Sequence, residues 1–299
     1  MPGLHEHHFT KTGVIHVTNT MSAKAETLFD ELNSAVKADK LILPSLPEVA
    51  LKIRDAVESE NSTAQDISDA LAQDASLAAR LLKVANSPLY RTRNPIEDLQ
   101  MAVTRLGIRI VRDLVVGLAM KQIFQATSDA LDVHSRKIWS KSVDAAAISR
   151  MMATLVPGIN AEQALLAGLI HNIGALPVLV LAENDEELFQ DEEALGRVIY
   201  ELQGVVGELI LRHWEFDDHM IEVVKQCHNF DYDNGDQAAI VDIVQVALLQ
   251  GNHIPSEFTP ENWADVPAFT RLGIDVEVNV IDIEENKEMI ENTKMALTS

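Results

Sequence analysis

A single cysteine, Cys227, stands in 299 residues, which excludes an intramolecular disulfide and with it the small disulfide-stapled secreted classes. Basic residues are also scarce: 24 Lys plus Arg against 46 Asp plus Glu give a formal net charge of −22. Such a negative field disfavours direct binding to nucleic acid, because neutralising phosphates requires positive charge. The opening MPGLHEHHFT lacks the basic start and apolar stretch of a secretory signal, so a cytoplasmic location is expected. No Gly-rich phosphate loop follows a strand-like run, no internal repeat recurs, and no serine sits in a GxSxG elbow. Long uncharged runs are almost missing too. One segment, residues 163–182 (QALLAGLIHNIGALPVLVLA), carries no charged residue for 20 positions, the length of a membrane-spanning helix. His171, Asn172 and Pro177 interrupt it, and Glu162 and Glu183 flank it where basic anchors would belong, so it reads as buried in protein, with no membrane partner.

What the chain does have is hydrophobic residues, 47% of the total, enough for a sizeable core. They recur at three- and four-residue spacing in FDELNSAVKADKL, PEVALKIRDAVES, AQDISDALAQD, SLAARLLKVANS, IEDLQMAVTRL and IRIVRDLVVGLAMKQIF, the period of amphipathic helices. Pro44 and Pro47, a capping box of Thr63 with Asp66, the Asn86–Ser87–Pro88 stop and Gly107 punctuate them. A second helical set runs from RKIWSKSVDAAAISRMMATL through AEQALLAGLIHNI, capped by Asn160, to GRVIYELQGVVGELILRHWEF, HMIEVVKQCHNF and QAAIVDIVQVALLQGN. Between them, seven of the eleven residues 183–193 are acidic, a solvated helix start or loop. Only VEVNVIDI, residues 276–283, alternates like a strand, and one strand makes no sheet. The expected fold class is therefore all-α.

Charge is uneven. Residues 80–121 hold eight bases and three acids, a local net of +5, so the remainder carries −22 − 5 = −27. Arg91, Arg93, Arg105, Arg109 and Arg112 make this stretch the candidate interaction surface, with Arg105, Arg109 and Arg112 at spacings that share one helix face. The plainer reading is internal pairing of these guanidiniums with carboxylates. Trp139 and Trp214 read as packing anchors, and Cys227 has no activating partner except His228, the adjacent residue, which on a helix points elsewhere.

The chemically suggestive residues are His171–Asn172 and His228–Asn229. A His–Asp pair joined by His and Asp from other helices grips divalent metal and activates water. Asn172 replaces the carboxylate by a neutral carbonyl oxygen, a poor ligand where charge compensation sets affinity.

Four segments in order, LPSLPEVALKI (43–53), QDASLAARLLKVANSPLY (73–90), IEDLQMAVTRLG (96–107) and LLAGLIHNIGAL (165–176), resemble the HDOD domain, a bacterial signalling family related to the HD-type metal phosphohydrolases. The resemblance runs over residues 41–252. It implies a multi-helix bundle in which an N-terminal helical lobe packs on an HD-like helical lobe. The expected organisation is a flexible arm over 1–20, whose His5, His7 and His8 could hold a metal loosely, a first lobe over 21–130, an HD-like lobe over 131–255 and an acidic C-terminal extension over 256–299. That extension could complete the fold, mediate a homodimer or hang free.

The resemblance also places the family's ligand positions. The first histidine falls on Lys141 in IWSKSV, the His–Asp pair on His171 and Asn172, the late histidine pair on His228 and Asn229 beside Cys227, and the final Asp on Leu248. No carboxylate remains, and Lys141 sets an ammonium where a metal would lie. The implied function is a non-catalytic signal-transduction module that acts by contacts with signalling protein partners, with no cofactor. The rivals are a weak or vestigial metal-dependent phosphohydrolase using a loosely held divalent metal, and a sensor of nucleotides or cyclic dinucleotides holding an anion near Lys141. The simplest role for His171 alone is a hydrogen-bonded core histidine.

Overall fold

The computed structural model describes residues 22–37, 44–58, 63–90, 94–124 and 128–298. The arm over 1–20, with its histidines, and Arg91 and Arg93 lie outside the described residues. Described elements are α1 (Ala23–Lys37), α2 (Glu48–Glu58), α3 (Ala64–Leu71), α4 (Ala75–Ala85), α5 (Leu99–Leu106), α6 (Ile108–Ile123), α7 (Asp129–Leu155), α8 (Ala161–Ile170), α9 (Ala175–Ala182), α10 (Glu186–Gln190), α11 (Glu192–His213), α12 (Asp218–Gln226), α13 (Ile240–Gln250), α14 (Pro267–Leu272) and α15 (Glu284–Thr298). Among the described residues there is no strand, and the all-α expectation holds.

The helix boundaries follow from local chemistry. Thr63 and Asp66 form the reciprocal capping box that starts α3. Asp74, Asp98, Ser128, Asn160, Asp191 and Asp217 cap α4, α5, α7, α8, α11 and α12 by accepting from backbone N–H groups of the first turn, satisfying donors the helix cannot. Gly107, at φ 90°, ends α5 and begins α6 with a backbone conformation that side chains other than glycine resist. Arg105 is therefore on α5 while Arg109 and Arg112 are on α6, and the expected shared helix face does not form.

Two cores result. Ile53, Ile67, Leu71, Leu77, Leu81, Val111, Leu114 and Leu118 fill the first, built by α2 to α6. The larger second core is built by α7 to α13. Helix α6 serves both: Val111, Leu114 and Leu118 face the first core, while Val116, Ala119 and Met120 face the second. This double duty accounts for the uninterrupted apolar run from Leu114 to Met120.

Helix α1, grouped by sequence order with the first lobe, lays Ala25, Leu28 and Leu32 into the second core. Lys24 meets Asp185 at 2.8 Å, and Ser22 donates to Glu201 at 2.8 Å. Trp214 is buried and its indole Nε1 donates to the Pro44 carbonyl at 2.9 Å, tying the LPSLP segment to the end of α11.

Residues 256–298 pack onto the helical body, mostly against the second core, rather than hanging free. Arg271 of α14 reaches buried Asp242 of α13 at 2.6 Å, Lys294 of α15 reaches Asp144 of α7 at 2.7 Å, and Ala296 joins the first core. The strand candidate at 276–283 forms a turn followed by a single 3-10 turn, Val280–Asp282; without a partner strand, its backbone groups are met instead by Gln250, which donates to the Val278 carbonyl at 2.9 Å and accepts from the Val280 N–H at 3.1 Å. Residues 161–182 pass by length and hydropathy as a membrane span, yet 89% of the best window is buried inside the protein, and the turn at His171–Gly174 splits them into α8 and α9.

Candidate functional site: a cleft without carboxylate ligands

Helices α7 and α8 pack closely because Gly168 rests on α7; a Cβ there would come within 2.5 Å of the Ala146 Cα. Gly174 does the same against α11, where a Cβ would lie 2.0 Å from the Gln203 carbonyl oxygen. These two glycines of the LAGLIHNIG segment hold the intervening His171 and Asn172 at the meeting of α7, α8 and α11.

A cleft of about 260 Å³ opens there, lined in part by Lys137, Lys141, His171, Asn172, His228 and Leu248. The fold thus brings together Lys141, His171, Asn172, His228 and Leu248 from four separate stretches of sequence. Asn229 does not join them: it is exposed, its amide donates to Gln226 at 3.1 Å, and its carbonyl accepts from Gln245 at 2.7 Å.

The ring of His171 is buried, and its Nδ1 N–H donates to the Gly168 carbonyl at 2.7 Å. That bond fixes the tautomer and leaves Nε2 as an acceptor. Burial pushes its pKa down to about 4, with His253 and Lys141 adding repulsion against the opposing pull of Gly168, so the ring is neutral at pH 7. His228 has both ring nitrogens engaged, Nε2 with the Gln203 amide at 3.2 Å and Nδ1 with the Cys227 sulfur at 3.2 Å. Burial first, and then His171, lowers its pKa to about 3. The two rings lie 6.0 Å apart between centroids.

The contact between Cys227 and His228 corrects the expectation that neighbours on a helix point apart. Helix α12 ends at Gln226, so both residues lie in the turn beyond it. Burial nevertheless drives the Cys227 thiol pKa upward, which disfavours the thiolate a nucleophile needs.

Asn172 is held structurally. The Ser142 hydroxyl approaches its Oδ1 at 2.7 Å, and its amide lies 3.4 Å from the Ile138 carbonyl. Lys141 is exposed at the mouth and forms no ion pair among the described residues. Lys137 donates to Glu192 at 2.8 Å, and Glu192 is the one acidic residue of the lining.

Sequence reasoning missed His134, Tyr200, Gln203 and His253, all of which line the cleft. His253 arrives because Asn252, at φ 54°, reverses the chain after α13 and directs the His253 N–H to the Leu248 carbonyl at 2.9 Å. Its Nε2 is buried without a hydrogen-bond partner. Burial lowers its pKa, with Lys141 and Lys294 working against Asp144. The Gly251–Asn252 pair before it was the available sequence signal.

These residues do not fit a divalent metal. Among the described residues no group of three His, Cys, Asp or Glu side chains is placed to hold one. His228 and Asn172 spend their polar atoms on the protein, and the one carboxylate of the lining, Glu192, is already paired with Lys137 at 2.8 Å.

The basic stretch is less available than its composition implies. Arg80 donates to the Leu118 carbonyl at 2.8 Å, Arg105 to the Asn94 carbonyl at 2.8 Å, and half-buried Arg112 pairs with buried Asp113 at 2.7 Å. Arg109 is exposed on α6.

Comparison with known proteins agrees with this architecture. A crystal structure from Shewanella amazonensis SB2B, provisionally named a metal-dependent phosphohydrolase, superposes with a TM-score of 0.80 at 29% identity, covering 92% of this chain and all of that one. An HDOD domain protein of unknown function from Geobacter sulfurreducens matches at TM-score 0.64 and 22% identity over 92% of this chain and 98% of that one. An uncharacterized Treponema pallidum protein is 23% identical over 69% of this chain; the match spans 42% of that relative's length. The HDOD domain model matches residues 43–230, more than half of the chain and within the 41–252 extent expected from the resemblance. The chain belongs to the HDOD family.

Proposed function

We propose that this protein is a signal-transduction module of the HDOD type that works by protein contacts and performs no phosphoester hydrolysis. The observation that carries this reading is the donor set of the cleft, where Lys141 stands at a histidine position and Asn172 and Leu248 stand at carboxylate positions of the metal-binding pattern, with Asn172 and His228 already bonded to protein groups. An ammonium beside His171 supplies positive charge but no Lewis acid, and a hydrolase of this type needs a metal-bound water as nucleophile. The family relation supports a regulatory role, and a similar fold at 23% identity also appears in a Marinobacter aquaeolei protein provisionally named for signal transduction. The provisional name of the Shewanella amazonensis structure points the other way, towards metal-dependent phosphohydrolysis, and the donor set of this chain is the argument against carrying that name over.

The contact surface we assign is the exposed side of the α5–α6 junction, where Arg105 and Arg109 lie on consecutive helices. An acidic partner surface complements it, and the rest of this acidic chain repels the same partner. Affinity capture with the wild type and with Arg109→Glu tests this: retained partners should fall away in the variant while thermal stability stays within about 0.5 kcal/mol of wild type, as expected of an exposed site. Identical capture by both proteins would remove this surface from the account.

A further inference from the structure

The cleft that cannot hold a metal has the features of a site for a different ligand. Its lining carries two ammonium groups, Lys137 and Lys141, and a single carboxylate, Glu192, which is already bonded to Lys137. In a chain with a net charge of −22, this is a local reversal of sign inside a concavity, where low-dielectric walls strengthen charge interactions. Two deeper nitrogens face a different need. His171 Nε2 is an acceptor by virtue of the Gly168 bond, and His253 Nε2 is buried with no partner; buried polar atoms left unpaired are costly and uncommon. At about 260 Å³ the space lies just below the ~300–1,000 Å³ of drug-sized ligand pockets.

We infer that the cleft binds a small phosphate monoester, with the phosphate against Lys141 and Lys137 at the mouth and a hydroxyl of the same molecule donating to His171 Nε2 deeper in. Phosphate suits ammonium point charges, and the hydroxyl satisfies the acceptor that a bare anion leaves unmet. The binding is reversible and needs no metal. It goes beyond the protein-contact reading and does not depend on it: the Arg109 capture experiment can fail while this site stands, and the reverse.

Calorimetry on the full chain tests the assignment, using ribose 5-phosphate, inorganic phosphate, ribose and manganese chloride as separate probes. The expected result is binding of ribose 5-phosphate that is tighter than phosphate and weakens with added salt, with ribose and manganese silent. Lys141→Glu should weaken ribose 5-phosphate at least tenfold, and His171→Gln should narrow its advantage over phosphate. Because Lys141 is exposed, its variant should keep the wild-type melting temperature, so lost binding there reports the site and not the fold. Silence with both phosphates, equal binding by Lys141→Glu, or stoichiometric manganese binding would overturn the proposal.

Discussion

At the scale of single residues, two buried groups set measurable expectations. Asp242 is fully buried and accepts from Arg271 at 2.6 Å and from the Ala239 N–H at 2.8 Å. Asp242→Asn removes the buried negative charge facing the Arg271 guanidinium and leaves exposed Asp233 as its ionic partner; the cost should sit near the lower end of the ~3–5 kcal/mol for a broken buried pair, read by urea denaturation. The histidines give a pH dependence. With folded values of about 4 for His171 and about 3 for His228, against about 6.5 for an unfolded histidine, the unfolded chain binds more protons below pH 6.5. Stability is therefore full above that pH and declines as pH falls towards 4. Denaturation curves between pH 7 and 5 should show a smaller decline in His171→Gln than in wild type; an unchanged slope would mean His171 is not held neutral. Lys141, His171, Asn172, His228 and Leu248 were legible from the motifs because each sits in, or is spaced from, a recognisable helix segment. His253 and Gln203 were not: His253 is brought in by a left-handed turn at Asn252, marked in sequence only by the Gly251–Asn252 pair, and Gln203 by the packing of α11 on α9, which leaves no local pattern.

Among the elements, glycines decide the geometry of the cleft. Gly174→Ala would drive a methyl into the Gln203 carbonyl and to 2.4 Å from the Gly207 nitrogen. Backbone atoms cannot step aside as side chains do, so the penalty should reach or exceed the upper end of ~1–3 kcal/mol for overpacking, visible as a large fall in melting temperature. Gly196→Ala, on the exposed side of α11 with nothing near its would-be Cβ, is the control and should stabilise slightly through helix propensity. The helices themselves were readable from period and caps, as Thr63 with Asp66 and Asn160 illustrate. The shared arginine face failed because period alone ignores a break: Gly107 turns the chain between Arg105 and Arg109. The strand expectation at 276–283 failed because alternation without a pairing partner has no hydrogen bonds to offer, and Gln250 supplied them instead.

For the molecule as a whole, the net charge of −22 describes the outside, while the cleft carries the opposite sign. The two cores were not separable in sequence, since α6 feeds both and α1 crosses to the lobe that follows it. The C-terminal extension was undecided because its composition resembles a tail. Its anchors, Arg271 to Asp242 and Lys294 to Asp144, depend on partners over a hundred residues away in one case and about thirty in the other. The central claim is that this HDOD cleft has exchanged metal chemistry for another use. Metal content by mass spectrometry of protein purified without chelator, followed by equilibration with manganese and gel filtration, tests it most directly. The account predicts far less than one metal per chain before and after equilibration; one bound ion per chain, lost in His171→Ala, would contradict it.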